Sequence, residues 1–189
     1  MKLPKCGAKA SSNNFIRAFL SNGGTLPFDN YFLAEEPFTV KKEKQVKLKI
    51  FANIVRGEGE DADKDNVRIN SFGVMSLDGK RIEIAYDETM GENGMAHNTL
   101  SFDIEEPNIV TLVREGAVSC VMTFSENGRY GGLYDMGFAA FDFTVATKSI
   151  SNKLNFEKGG ILLLDYNTEL QGVAVQASRF RFDISVVKE

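Results

Sequence analysis

From Val46 onward the chain alternates apolar and polar residues with a period of two, broken by turn residues at short intervals. Such a chain can bury one face of each segment only as strands, because successive side chains of a strand point to opposite faces. Val46, Leu48 and Ile50 alternate with Lys47 and Lys49, which predicts a strand with one wet face. The acidic stretch "GEGEDADKDN" reads as a loop, and Val67 to Ser76 as the second strand. The Asp-Gly of "LDGK" predicts a tight hairpin before Ile82, Ile84 and Tyr86. After the turn region "ETMGENGMA", Leu100, Phe102 and Ile104 alternate up to a Glu-Glu-Pro break.

Ile109 to Arg114 and Ala117 to Ser125 follow, with Arg114-Glu115-Gly116 read as mainly a corner between them and Asn127-Gly128 as the next turn. Arg129 to Met136, Ala140 to Ile150 and Lys153 to Phe156 continue as short strands up to "EKGG". Leu162, Leu164, Tyr166 and Leu170 then share a face, and Phe180, Phe182, Ile184 and Val186 alternate with Arg179, Arg181 and Asp183. Val173, Val175 and Ala177 fall on the opposite parity from Phe180, which predicts a bulge near Ser178. Nothing after residue 45 reads as a long helix. The expectation is an all-β domain, residues 45–189, of about eight to ten antiparallel strands whose meander closes into a barrel.

Residues 1–44 read as an N-terminal extension. Capping residues before Phe15 and a glycine pair after Asn22 suggest one short helix. Phe28, Tyr31, Phe32, Leu33 and Phe38 are too many aromatics for a solvated tail, so the arm is expected to pack on the barrel or on a second copy, giving a homodimer. The net charge of −4 disfavours nucleic acid, and no apolar run is long enough for a membrane helix. Cys6 and Cys120 stand far apart without metal-site or redox spacing, and polar Ser11 to Asn14 interrupt any leader-like core. A cytoplasmic protein follows, with no metal and no cofactor expected.

The runs "YDETMG" (86–91), Thr99-Leu100, "VTLVREG" (110–116), Met122 and Phe124 resemble the bacterial YwiB-like family. "LYDMG" (133–137), "TKSI" (147–150), "GGILLLDY" (159–166) and "LQG" (170–172) follow in that family's order. The resemblance covers roughly Val46 to Val187 and implies a closed calycin-like, lipocalin-like β-barrel without an established biochemical function. Residues 1–44 precede it, and Asp135-Met136-Gly137 departs from the family's aromatic corner.

Few residues offer chemistry. His97, the single histidine, lies on the opposite parity from Leu100 and Phe102 and reads as a strand-edge residue. Cys120 shares parity with Val118, Met122 and Phe124 and reads as a buried small side chain. The acidic loop lacks the flanking helices and closing glutamate of a calcium loop, and "GRYGG" precedes no helix that could cradle a phosphate. The lysines of 41–49 read as a solvated strand face. Arg114 shares parity with Val110 and Leu112, so its planar fork either seals a barrel end against a carboxylate or awaits an anionic ligand in the barrel mouth. Tyr86, Tyr134 and Tyr166 lie on apolar strand faces and join Arg114 as candidate ligand-binding residues.

Three functions compete on these residues. The first is a non-enzymatic module binding a small, partly apolar or anionic ligand at the barrel mouth. The second is an interaction or homo-oligomeric module using the aromatic arm or a strand edge. The third is an enzyme pairing Arg114 with tyrosine or carboxylate acid/base chemistry.

Overall fold

A computed structural model describes residues 40–57, 59–89, 94–170 and 173–188. The predicted short helix, the aromatic arm and Cys6 lie outside the described residues. Ten strands follow in order: β1 (Lys42–Arg56), β2 (Asp63–Asp78), β3 (Arg81–Thr89), β4 (Met95–Asp103), β5 (Val110–Gly116), β6 (Cys120–Phe124), β7 (Arg129–Asp135), β8 (Ala140–Asn152), β9 (Gly159–Leu170) and β10 (Val173–Val186). Their order in the sheet is β6-β5-β4-β3-β2-β1-β10-β9-β8-β7, an antiparallel meander whose first and last strands pair with each other. The sheet closes between β6 and β7 through a two-bond bridge in which Ser119 and Asp135 exchange N–H···O bonds of 2.8 and 2.9 Å. The protein is an antiparallel β-barrel with one thin seam.

The alternation places the core as expected. Val46, Leu48, Ile50, Met75, Ile82, Ile84, Leu100, Phe102, Val110, Leu162 and Ile184 point inward and are buried. Each such aliphatic side chain contributes about 1.5–3 kcal/mol when fully withdrawn from water. Because the strands run up and down, the hairpins β1–β2, β3–β4, β5–β6, β7–β8 and β9–β10 share one end, and the remaining connections share the other. That second end is packed solid and plugged by Leu154 and Phe156, with the Lys44 ammonium 4.7 Å over the Phe156 ring. Toward the hairpin end the inward positions Ile54, Val67, Ile69, Arg114 and Phe180 are only half-buried. Among the described residues the barrel is a cup.

Several local readings need correction. Lys153–Phe156 is not a regular strand: its backbone pairing is reduced to the Lys153 N–H on the Ile161 carbonyl and an isolated Asn155–Gly159 bridge, while the Asn152 and Asn155 side chains accept the Leu154 and Glu157 N–H groups at 3.0 and 2.8 Å. Ile104 lies beyond β4 and is exposed. The acidic loop is shorter than the composition suggests, since Asp63 to Asn66 pair with Arg56 to Asn53 as the start of β2. The register shift in β10 falls between Ala174 and Gln176, upstream of Ser178, which pairs regularly with Tyr166 and Ile54. Arg114, Glu115 and Gly116 finish strand β5 instead of forming the corner, which falls on the residues that follow. Gly116 takes φ 113°, and a Cβ there would sit 2.5 Å from the Met95 carbonyl oxygen, so glycine is required where β5 passes β4.

Candidate functional site

One row of cross-strand partners builds the inner wall near the hairpin end: Gly73 of β2, Tyr86 of β3, Asn98 of β4, Arg114 of β5 and Cys120 of β6. The row begins with glycine because a Cβ at Gly73 would meet the Ala85 carbonyl oxygen at 2.3 Å and the Tyr86 Cβ at 3.1 Å. Across the barrel, Phe124 meets Tyr166 edge-on with centroids 5.0 Å apart, and Tyr166, Phe180 and Phe182 stack in succession at 6.0 Å. Tyr134 packs edge-on against Phe143 at 6.2 Å. Between the row and this aromatic wall lies a cavity of about 430 Å³.

All four candidate residues, Arg114, Tyr86, Tyr134 and Tyr166, line that cavity. Arg114 is paired: Nε donates to Asn98 Oδ1 at 2.8 Å and Nη2 to Glu88 Oε2 at 2.7 Å. Arg114 and Glu88 are largely shielded from water, and Asn98 is fully buried, so these are charge-assisted bonds in a dry setting. Among the described residues Nη1 has no protein acceptor. Burial pushes the Tyr86 hydroxyl up, and pushes Tyr166 up to about 12 against the opposing pull of its Ser178 hydrogen bond and of Arg114. Burial likewise raises Tyr134 and the Cys120 thiol, again with Arg114 pulling the other way. One guanidinium therefore acts on all four groups, and desolvation still keeps each protonated at neutral pH. The wall offers hydrogen-bond donors and a cation, and its hydroxyls and thiol are poor bases.

Glu88 and Asn98 were not among the residues singled out from the sequence. His97, one residue from Asn98, points outward and meets exposed Asp87, Nδ1 to Oδ1, at 2.6 Å, away from the cavity. Among the described residues no group of three or more His, Cys, Asp or Glu converges as a metal site.

A family model described as a domain of unknown function (DUF1934) matches residues 51–184. The chain belongs to the DUF1934 family. The match begins midway through β1 and ends in β10, so it spans β2 to β9 of the DUF1934 barrel complete and includes Tyr86, Arg114, Tyr134 and Tyr166. The crystal structure of the ywiB protein from Bacillus subtilis is similar, with a TM-score of 0.59 at 16% identity over 76% of this chain and 94% of that one. That likeness shows the barrel fold. No curated protein matches the DUF1934 chain.

Proposed function

We propose that the barrel is a non-enzymatic module that binds a small, partly apolar molecule bearing an anionic group, with its site at the hairpin-end mouth. The observation that carries this reading is Arg114 on an inner wall facing Tyr166, Phe180 and Phe182, with its Nη1 side still available to a carboxylate or phosphate. The calycin-like analogy, a barrel packed at one end and open at the other, supports it further. The test is native mass spectrometry of freshly purified protein, followed by thermal melts with a panel of aromatic and aliphatic carboxylates. A copurifying mass, or a ligand that raises the melting temperature in the parent and not in Arg114→Leu, is expected. Neither outcome appearing removes the reading.

The second reading is an interaction module. The notion of a homodimer held by the aromatic arm of residues 1–44 belongs here, and light scattering of the whole chain tests it. A strand edge free on one side, described below, favours this reading independently of the arm. Enzyme chemistry at Arg114 is the weakest of the three, because the neighbouring hydroxyls and thiol are held protonated. Inward apolar and outward charged faces oppose the pattern of a membrane-spanning barrel, and with just two cysteines in the chain we place the protein in the cytoplasm.

A further inference from the structure

Strand β2 is paired on both sides only in its second half. From Gly73 to Asp78 it pairs with β3, but from Asp63 to Phe72 its ladder runs to β1 alone. Beyond Tyr86, β3 continues through Asp87, Glu88 and Thr89 paired with β4 alone. At the fork the Ser71 hydroxyl donates to the Asp87 carbonyl oxygen at 2.8 Å, and past it the two strands part. Among the described residues, Lys64 to Asn70 thus present an open row of backbone donors and acceptors on one side. Such an edge is a template for an added strand.

Both faces of this edge specify what would fit. Inward, Val67 and Ile69 are half-buried apolar side chains that line the cavity, flanked by Asp65 at the rim and by Tyr86 and Glu88 across the fork. Alternate side chains of a strand added here would point into that cavity. Outward, the paired positions of β1 and β2 are Lys47 with Phe72, Lys49 with Asn70, Phe51 with Arg68, Asn53 with Asn66 and Val55 with Lys64. These β1–β2 positions carry four cations and no carboxylate in a chain whose net charge is −4, and the neighbouring Asp183 of β10, opposite Lys49, is held by Arg181. None of the four has an ion-pair partner among the described residues; Arg68 lies over the Phe51 ring at 5.9 Å and Lys47 over Phe72 at 5.9 Å.

We propose that β2 recruits an extended peptide partner that pairs along Lys64–Asn70, with apolar side chains directed into the cavity mouth and acidic ones directed outward against Lys47, Lys49, Lys64 and Arg68. This rests on the interaction reading above and names its edge and its partner's chemistry. The open ladder supplies main-chain bonds, the cavity selects for apolar residues at every second position, and the unpaired cations select for acids between them. A nucleic acid would satisfy the cations but would leave the ladder and the apolar inner face unused.

The test uses the full chain and four probes: an eight-residue peptide alternating leucine with glutamate, its leucine–lysine counterpart, the acidic peptide N-methylated at alternate residues, and a single-stranded oligonucleotide. Fluorescence anisotropy measures affinity, and hydrogen exchange reads the amides of 64–70. The acidic peptide is expected to bind saturably and slow exchange there. Binding at least tenfold weaker is expected for the lysine and N-methylated peptides, and for the acidic peptide on the Lys64→Glu/Arg68→Glu protein, whose exposed substitutions leave the core intact. Absence of saturable binding, protection confined to other strands, or tighter binding of the oligonucleotide overturns the proposal. Protection of 64–70 that rises with protein concentration alone also overturns it, assigning the edge to a second copy while sparing the interaction reading.

Discussion

Asn98 and Arg114 stand opposite each other on β4 and β5, and the buried amide oxygen of one accepts the Nε–H of the other at 2.8 Å. The pair fixes the guanidinium plane so that Nη2 reaches Glu88 on the next strand. Three strands are thereby tied at the mouth of the cup by one side chain. Removing it would strand a buried acceptor and a shielded carboxylate, and an unsatisfied buried group costs about 1–3 kcal/mol.

Arg114→Leu is therefore expected to lower stability by about 1–3 kcal/mol in chemical denaturation, ligand or none. The alternative is a mutant as stable as the parent that loses a ligand response; it would mean that Asn98 and Glu88 find other partners and that Arg114 serves the ligand alone.

Stability should fall steeply in alkali. The folded pKa of Tyr166 is raised to about 12 from its ordinary value of 10.0, so the native state holds a proton that the unfolded state releases. The contribution is complete below pH 10 and is lost as pH rises toward 12, amounting to roughly 2–3 kcal/mol for a shift of that size. Tyr86, shifted the same way, adds to the slope. Urea denaturation between pH 8 and 11.5 should show the decline, and Tyr166→Phe should flatten it. Equal slopes in both proteins would remove Tyr166 as the cause.

Cys120 should label slowly. Its thiol is buried on the inner face of β6 and raised in pKa by that burial, so both access and thiolate fraction are low. A thiol reagent at pH 8 is expected to react with Cys120 many-fold slower in the native protein than in urea. Comparable rates would show that the β6 seam opens readily.

A chain beginning at Val40 is expected to fold with a β-sheet circular dichroism spectrum, because β1 begins at Lys42 and every described strand pair lies after it. A disordered spectrum would make residues 1–39 part of the folding unit.

The strands were legible in the sequence because their signal is local: Val46, Leu48 and Ile50 announce their face whatever lies beside them. The Asp78-Gly79 turn was legible for the same reason, as glycine there takes φ 57°. Leu154 and Phe156 misled because a two-residue spacing also arises in a plug whose asparagines cap its backbone. Arg114, Tyr86, Tyr134 and Tyr166 were found by parity, yet Glu88 and Asn98 carried the same mark. Glu88 shares the inward parity of Ile82, Ile84 and Tyr86, and Asn98 that of Ala96 and Leu100. Polar residues at core positions on three neighbouring strands predict a buried network once the register is known. The fork of β2 from β3 had no such signal, because it depends on which strand lies beside which, a relation no single segment encodes.

The pairing of β1 with β10 carries a consequence for synthesis. A strand bonded on both flanks in the finished barrel, with Val46, Leu48 and Ile50 on its inner face, has one flank vacant until the last strand leaves the ribosome. A nascent chain lacking β10 would leave one backbone edge of β1 unpaired and the inner-face Val46, Leu48 and Ile50 without their closing neighbour. Closure therefore waits for β10 to be made, and a chain cut short before that strand is expected to aggregate instead of forming a smaller working barrel.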